Sequence, residues 1–408
     1  MKIAVIGLGI SGLGAMYILN ANGHQVTGFE KNDYIGGHSR TIEVEGVPVD
    51  TGFIVFNYRN YPHLTGLFRL IDVPVEKSDM SFAASINGSW LEYGTQSVSS
   101  VFAQKKNLFR PQFLMMLREI FKFNKRAKDY IASDYTLGEV LDKLNLGEWF
   151  RKYYILAIGG AIWSTPVDKM LEFPAKSFIR FFDNHGLLTV NDQPQWYTVT
   201  GGSREYVKRV AKGLNIRTNS AVKNVERRNG KILVDGEEFD HVIFGCHSDQ
   251  ALKIISDASN DEKYLLGNFK YQKNDIVVHS DESFMPKNKA CWASWVYKLE
   301  GKDDKAQNIS LSYWMNRLQN LATTKQIFVT LNPTRKPAAD KIYNEHVFEH
   351  PVFDEAAIGS QPLLNQIQGA QNTWFCGAYQ RYGFHEDGLS SAVEVCRKLG
   401  ATIPWEAK

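Results

Sequence analysis

The chain has 408 residues, 44% of them hydrophobic, enough for a large core and for two or more interleaved domains. A formal net charge of +3 gives no global attraction for nucleic acid. The four cysteines (Cys246, Cys291, Cys376, Cys396) are far apart and form no C-x-x-C pair. This excludes a metal ribbon, a dithiol motif and a disulfide scaffold, and points to a reducing, cytoplasmic setting.

The opening run MKIAVIGLGISGLGAMYIL is broken by Gly7, Gly9 and Gly12 and lacks a small-x-small cleavage site, so it does not read as a signal peptide. No stretch of about eighteen apolar residues occurs, and no transmembrane helix is expected. KIAVIG suits a buried parallel strand. It enters GLGISG, a G-x-G-x-x-G loop, and then a helical pattern (Leu13, Met16, Tyr17, Leu19) that stops at Ala-Asn-Gly with Gly23 after its end. QVTGFE is a second strand ending in Glu30. Gly7 permits the tight turn, Gly9 lets backbone approach a pyrophosphate, and Gly12 allows close helix–strand packing. Glu30, 23 positions after Gly7, is placed to hold a ribose hydroxyl. Strand, loop, helix, strand and acid together predict a dinucleotide site.

Where a simple NAD domain would continue with a second strand–helix–strand crossover, the chain reads KNDYIGGHSRT and then VEGVPVDTGFIVF. This resembles the FAD-binding amine oxidase and phytoene desaturase superfamily, in which Gly-Gly-Arg precedes Arg-Thr and Asp-x-Gly. Gly36, Gly37, Arg40, Thr41, Asp50 and Gly52 match, while His38 stands where the first Arg usually is. The resemblance implies cofactor contacts from Gly7, Gly9, Ile10, Ser11, Gly12, Glu30, Lys31, Gly37, His38, Ser39, Arg40, Gly52 and Phe53.

Residues 101–130 read as helical, with Lys105, Lys106, Arg110, Arg118, Lys122, Lys125, Arg126 and Lys128 interleaved among Phe, Leu, Met and Ile. Such a stretch either lies over a domain core or makes peripheral contact with an anionic membrane. TLGEVL matches a capping box that starts another helix. AIGGAIWSTPVDKMLEFPAKSFIRFFDNHGLL is aromatic-rich, and reads either as plain core or as the lining of an apolar cavity, with Trp163, Trp292 and Tyr313 as candidate wall residues. A second Gly-Gly helix (TGGSREYVKRV) leads to strands with a turn at Arg228-Asn229-Gly230 and a buried strand HVIFGC. The superfamily resemblance implies that the Val222 backbone lies near an adenine. Residues 262–353 alternate like an antiparallel sheet.

The expected fold is therefore α/β: a Rossmann-type FAD-binding domain from residues 1–75, 195–260 and 355–408, with an inserted α+β substrate domain from 76–194 and 261–354. Near the end, YGFHEDGLSSAV places two acids and a Gly at a helix start. A helix N-terminus there would stabilise negative charge on a reduced flavin. The resemblance assigns Gly377, Glu386, Asp387, Gly388 and Leu389 to the cofactor, with the Gly388 and Leu389 amides offered to the ring. Gly377-Ala378 replaces the superfamily's Gly-Asp. His385 and Tyr382 are the catalytic candidates, because an imidazole moves protons near neutrality and an aromatic can stack beside the ring. No second G-x-G-x-x-G and no H-E-x-x-H is present, so neither an NAD(P)H domain nor a metal is expected.

Long strings such as FPAKSFIRFFDNHGLL, PQWYTVTGGSREYV and FCGAYQRYGFHEDGL resemble a narrower bacterial family, labelled NAD/FAD-binding or amine-oxidase-like. Its members are often encoded beside cyclopropane-fatty-acid-synthase-like methyltransferases. This implies an FAD-dependent oxidoreductase on an apolar lipid substrate, by dehydrogenation or isomerisation of an unsaturated or methyl-branched acyl chain, with a methyltransferase as an expected partner. Two other readings stay open: a flavin amine oxidase with Tyr379 and Tyr382 as an aromatic cage, and a non-catalytic flavoprotein partner of a lipid methyltransferase.

Overall fold

The computed structural model describes residues 1–406 apart from 164–169, 185, 190–192 and 301–307. A five-stranded parallel sheet draws on distant parts of the chain: Asn215–Arg217, Gln25–Phe29, Lys2–Ile6, His241–Phe244 and Thr373–Phe375, in that spatial order. Its central strands are buried on both faces, which is why KIAVI and HVIF are continuous apolar runs rather than alternating ones. The helix Ile10–Ala21 covers one face and ends at Asn22–Gly23, where Gly23 takes φ +80°. The helix His385–Lys398 packs beside it, and the two share a core with Leu13, Met16, Leu389, Val393 and Cys396.

In chain order, an antiparallel meander, Val225–Arg228, Lys231–Val234 and Glu237–Phe239, comes between the strands Asn215–Arg217 and His241–Phe244. Its turns, Asn229-Gly230 and Asp235-Gly236, have left-handed φ at both positions, as two-residue hairpins require.

A seven-stranded mixed sheet forms the second architectural layer, ordered Ile342–Val352, Lys270–His279, Phe328–Leu331, Asn308–Trp314, Trp295–Glu300, Phe82–Ile86 and Leu91–Gly94. The last two strands form a hairpin in the 76–100 region, each buried along its whole length, so neither shows the alternation of a half-exposed strand. They join through a parallel pairing of Phe82–Ile86 with Trp295–Glu300. The helices Pro111–Arg126, Leu137–Lys143 and Ala175–Asn184 pack on this part through Phe113, Phe123, Leu141, Phe178 and Phe182. Thr136 and Glu139 form the capping box read from TLGEVL.

Trp292 is core, packed against Trp314 and Phe328 with its Nε1 donating to Pro286 O at 2.8 Å. Tyr313 packs edge-on against Trp295. The Trp163 side chain lies outside the described residues. His346 and His350 have H-x-x-x-H spacing, but on a strand, where four residues span about 13 Å, too far for joint ligation. Among the described residues no cluster is placed to hold a metal ion, and no helix is long and apolar enough to cross a membrane.

The tightest packing is backbone on backbone. A Cβ on Gly245, at the end of the strand His241–Phe244, would lie 2.8 Å from Gly12 Cα and 2.8 Å from Gly7 O. Gly245→Ala should therefore lower unfolding stability by about 1–3 kcal/mol through overpacking, measured by urea denaturation of the flavin-free protein. A variant as stable as wild type would refute the close approach.

Candidate functional site

The first helix begins at Gly9 with no side-chain cap and no acid in its first turn, so its leading N–H groups lack acceptors among the described residues. Gly7 takes φ +88° and lies against Cys246, and a Cβ on Gly12 would fall 2.0 Å from Gly7 O. Gly9 differs: a Cβ there would meet nothing within 4 Å. Packing therefore explains why Gly7 and Gly12 are glycine and leaves Gly9 unexplained, unless an absent group fills the space. Glu30, buried at the end of its strand, accepts from Leu8 N at 2.9 Å and from Asn32 N and Nδ2 at 3.1 and 2.9 Å. Lys31 beside it is exposed.

The Gly36-Gly37 loop is pinned onto this turn. Gly36 N donates to Leu8 O at 2.8 Å, and a Cβ on Gly37 would sit 3.1 Å from Gly9 Cα. His38 is enclosed, stacks on Phe348 at 4.5 Å and faces His350 at 5.0 Å. Burial, then the neighbouring His350, His247, His385 and His346, hold its imidazole well below the usual range, so it is neutral. Its buried Nε2 has no hydrogen-bond partner among the described residues. An open Gly9, an uncapped helix start and an orphaned buried nitrogen fit a dinucleotide cofactor. Arg40 reaches Asn344 Oδ1 at 3.2 Å and Thr51 Oγ1 at 3.4 Å. Gly52 and Phe53 fold back over the loop, with Phe53 N donating to His38 O at 2.8 Å.

At the last helix the structure reassigns several expected roles. The Gly388 amide is not free, because it donates to Phe384 O at 3.2 Å. Leu389, one residue further in, packs on Gly14 of the first helix. The first-turn N–H groups without a helical acceptor belong to His385, Glu386 and Asp387. Gly388 is needed for close approach to Ser11 and Ile10, whose atoms would lie 2.8 and 2.9 Å from its Cβ. Glu386 accepts from His63 N at 2.8 Å and Leu64 N at 2.9 Å, capping the helix Pro62–Leu70. Asp387 reaches back to Phe384 N at 2.9 Å and Tyr382 N at 3.2 Å. Burial pushes Glu386 up to about 7 and Asp387 to about 6 against these bonds.

His385 stacks on Phe53 at 3.8 Å, and its Nε2 lies 2.7 Å from the Tyr206 hydroxyl, which is 2.5 Å from Ser39 Oγ. Solvent reaches part of the residue, but the ring is enclosed, and burial drops its pKa to about 3. This imidazole is a neutral post held by Tyr206. Gly377 N donates to Ser391 Oγ at 2.8 Å, and Tyr379 is buried against Phe269. Val222 lies outside the regular elements, just before the strand Val225–Arg228, partly buried on the meander's core.

Tyr206, Gly245 and Gln319 were not singled out from the sequence. Gln319 binds Asp50 twice: its Nε2 donates to Asp50 Oδ2 at 2.7 Å, and its Oε1 accepts from Asp50 N at 2.8 Å. Asp50 also accepts from Thr41 and Ser203, and burial raises it to about 6. The Gly-Gly before the second helix was the available signal for Ser203 and Tyr206, since φ of +83° and +86° there turns the chain into this cluster.

A family model described as flavin containing amine oxidoreductase matches residues 10–313. "Putative flavin-containing monoamine oxidase AofH" of Mycobacterium tuberculosis is 27% identical over 253 residues, 58% of this chain and 54% of that protein. A 4,4'-diapophytoene desaturase of Staphylococcus aureus is 34% identical over 94 residues, 19% of each chain. The chain thus matches about half the length, or less, of these curated relatives. A CLA-producing fatty acid isomerase from P. acnes has the same fold, with a TM-score of 0.70 at 16% identity over 97% of this chain and 98% of that one. The cofactor is FAD.

Gly9→Ala should leave the flavin-free protein's melting temperature unchanged and weaken FAD binding at least tenfold, by fluorescence titration (about 1.4 kcal/mol). Loss of stability without loss of affinity would place Gly9 in packing instead. For His385, a folded pKa of about 3 against 6.5 when free means its contribution to stability is complete above pH 6.5. That contribution is lost as pH falls toward 3, at up to roughly 1.4 kcal/mol per pH unit. The stability gap between wild type and His385→Gln should therefore narrow from pH 7 to pH 5 in urea unfolding of the flavin-free protein; a constant gap refutes the enclosed neutral ring.

Proposed function

The chain belongs to the flavin-containing amine oxidoreductase family and is an FAD-dependent oxidoreductase, and we propose that its substrate is an unsaturated or methyl-branched fatty acyl chain. The observation that carries this reading is the chemistry at the start of the last helix. Phe384 stacks on Phe181 at 4.6 Å, Phe53 covers His385, and Phe353 packs against Gly383. These surfaces are hydrocarbon. The two acids in the same turn, which an ammonium substrate would otherwise find, hold backbone N–H groups of residues 63, 64, 382 and 384. An amine entering here meets no carboxylate with all its acceptor sites open, whereas an acyl chain meets the surface it prefers.

Bound FAD supplies a two-electron hydride acceptor. The chain's own part is to hold a C–H bond in place, exclude water and keep the surroundings uncharged. His385, neutral and engaged by Tyr206, orients the aromatic wall and does not exchange protons near neutrality. Such uncharged surroundings would suit double-bond migration, which is redox-neutral overall and would need no external base. Dehydrogenation remains within the same reading, with a proton released to solvent. The amine alternative draws on the AofH match, but Tyr379 is buried against Phe269 and is not free to wall a cage.

The test is to mix FAD-loaded protein anaerobically with cis-unsaturated and methyl-branched acyl lipids and, separately, with primary amines. Flavin absorbance and product mass spectra are then recorded. The expected result is a shifted or new double bond in the lipid and no response to amines. Peroxide release on amines in air, with every lipid recovered unchanged, sinks the acyl reading.

A further inference from the structure

We propose that the segment from Lys105 to Arg126 is a docking surface for an anionic lipid bilayer. The helix Pro111–Arg126 buries Phe113, Met116 and Phe123 in the second core. Those positions satisfy its need for tertiary packing, so its opposite face is free to serve another purpose. That face holds Leu114, Arg118, Phe121 and Lys125, at i, i+4, i+7 and i+11, along one stripe of a helix about 24 Å long. Phe121 is 63% exposed, and Phe109, just before the helix, is 85% exposed. Leu108, Leu114 and Met115 are exposed as well. Exposed leucines occur singly on many proteins, but aromatic and aliphatic side chains gathered on one segment are costly without a partner.

The charge identifies the partner. Residues 101–130 carry eight Lys or Arg and two acids, a net of six positive charges on a chain whose total is +3. One acid, Glu119, accepts from Gly147 N at 2.9 Å, and the other, Asp129, pairs with Arg126. Lys105, Lys106, Arg118, Lys122 and Lys125 make no ion pair with any described residue, so the surface keeps its positive potential. Nearby, Trp90 is partly exposed under the Arg110 guanidinium, 4.9 Å from its ring. Basic side chains reaching lipid phosphates beside Phe, Trp and Leu that sink into the acyl boundary are the elements of an interfacial anchor. An acidic protein groove would satisfy the charge, but it would leave Phe109 and Phe121 needing separate pockets.

The test is co-sedimentation of the FAD-loaded protein with vesicles of saturated phosphatidylcholine, with and without about a third phosphatidylglycerol. Saturated lipids keep this readout independent of the acyl reading of the active site, which fails separately. Wild type should bind only the anionic vesicles and release as salt rises. Phe109→Ser with Phe121→Ser, and Lys105→Glu with Lys122→Glu and Lys125→Glu, should each cut binding by roughly tenfold or more while retaining FAD. The proposal is overturned by any of three results: no binding to anionic vesicles at low salt, equal binding by the variants, or self-association in sedimentation velocity that the same substitutions abolish.

Discussion

The site depends on one steric constraint: the first helix must start in contact with three other pieces of backbone. Gly12 lies against the Gly7 carbonyl, Gly245 presses on both, and Gly388 brings the last helix onto Ser11 and Ile10. Any side chain at Gly12 or Gly245 would enter a space already held by backbone, which cannot move aside as a side-chain tip can. Three distant chain segments are thus forced to one point, and the uncapped end of the first helix is held there. Gly9 is the exception, because a side chain there would meet nothing within 4 Å among the described residues.

Polar groups then fix how the second layer meets this point. Asp50 gathers Thr41, Ser203 and Gln319, from three segments, around one fully buried carboxylate. Burial of that charge opposes folding, and the hydrogen bonds offset part of the cost, so the cluster specifies geometry more than it adds stability. Ser39, Tyr206 and His385 act similarly on the other side of the Gly-Gly loop, tying it to the second Gly-Gly helix and to the last helix.

What the sequence disclosed follows from the range of the forces involved. The strand–loop–helix with Glu30, the stop at Gly23, the capping box at Thr136 and the Asn229-Gly230 turn are determined by backbone within a few residues, and all were legible. Gly245 was not, because its need for a missing side chain arises from Gly7 and Gly12, far away in sequence. Tyr206 and Gln319 are ordinary until tertiary contact gives them partners. The strands at 82–86 and 91–94 were overlooked because each is buried throughout, which removes the period-two alternation that marks a half-exposed strand. The Gly388 amide was misplaced by one turn, since Phe384 is an unusual helix start and nothing local announced it.

The acids of His385-Glu386-Asp387 show how a local pattern can be right in chemistry and wrong in target. Two carboxylates at a helix N-terminus do complement N–H groups, but Glu386 serves a different helix, the one starting at Pro62. Buried carboxylates with pKa values raised to about 6 and 7 would ordinarily mark a catalytic pair. Here the same shift is the cost of locking two helices together beside the start of the first helix. The lock also draws on the charge that would otherwise attract a cation. The rings stacked at this helix start are those of Phe53 on His385 and Phe181 on Phe384, so the contacts that rigidify it are largely aromatic.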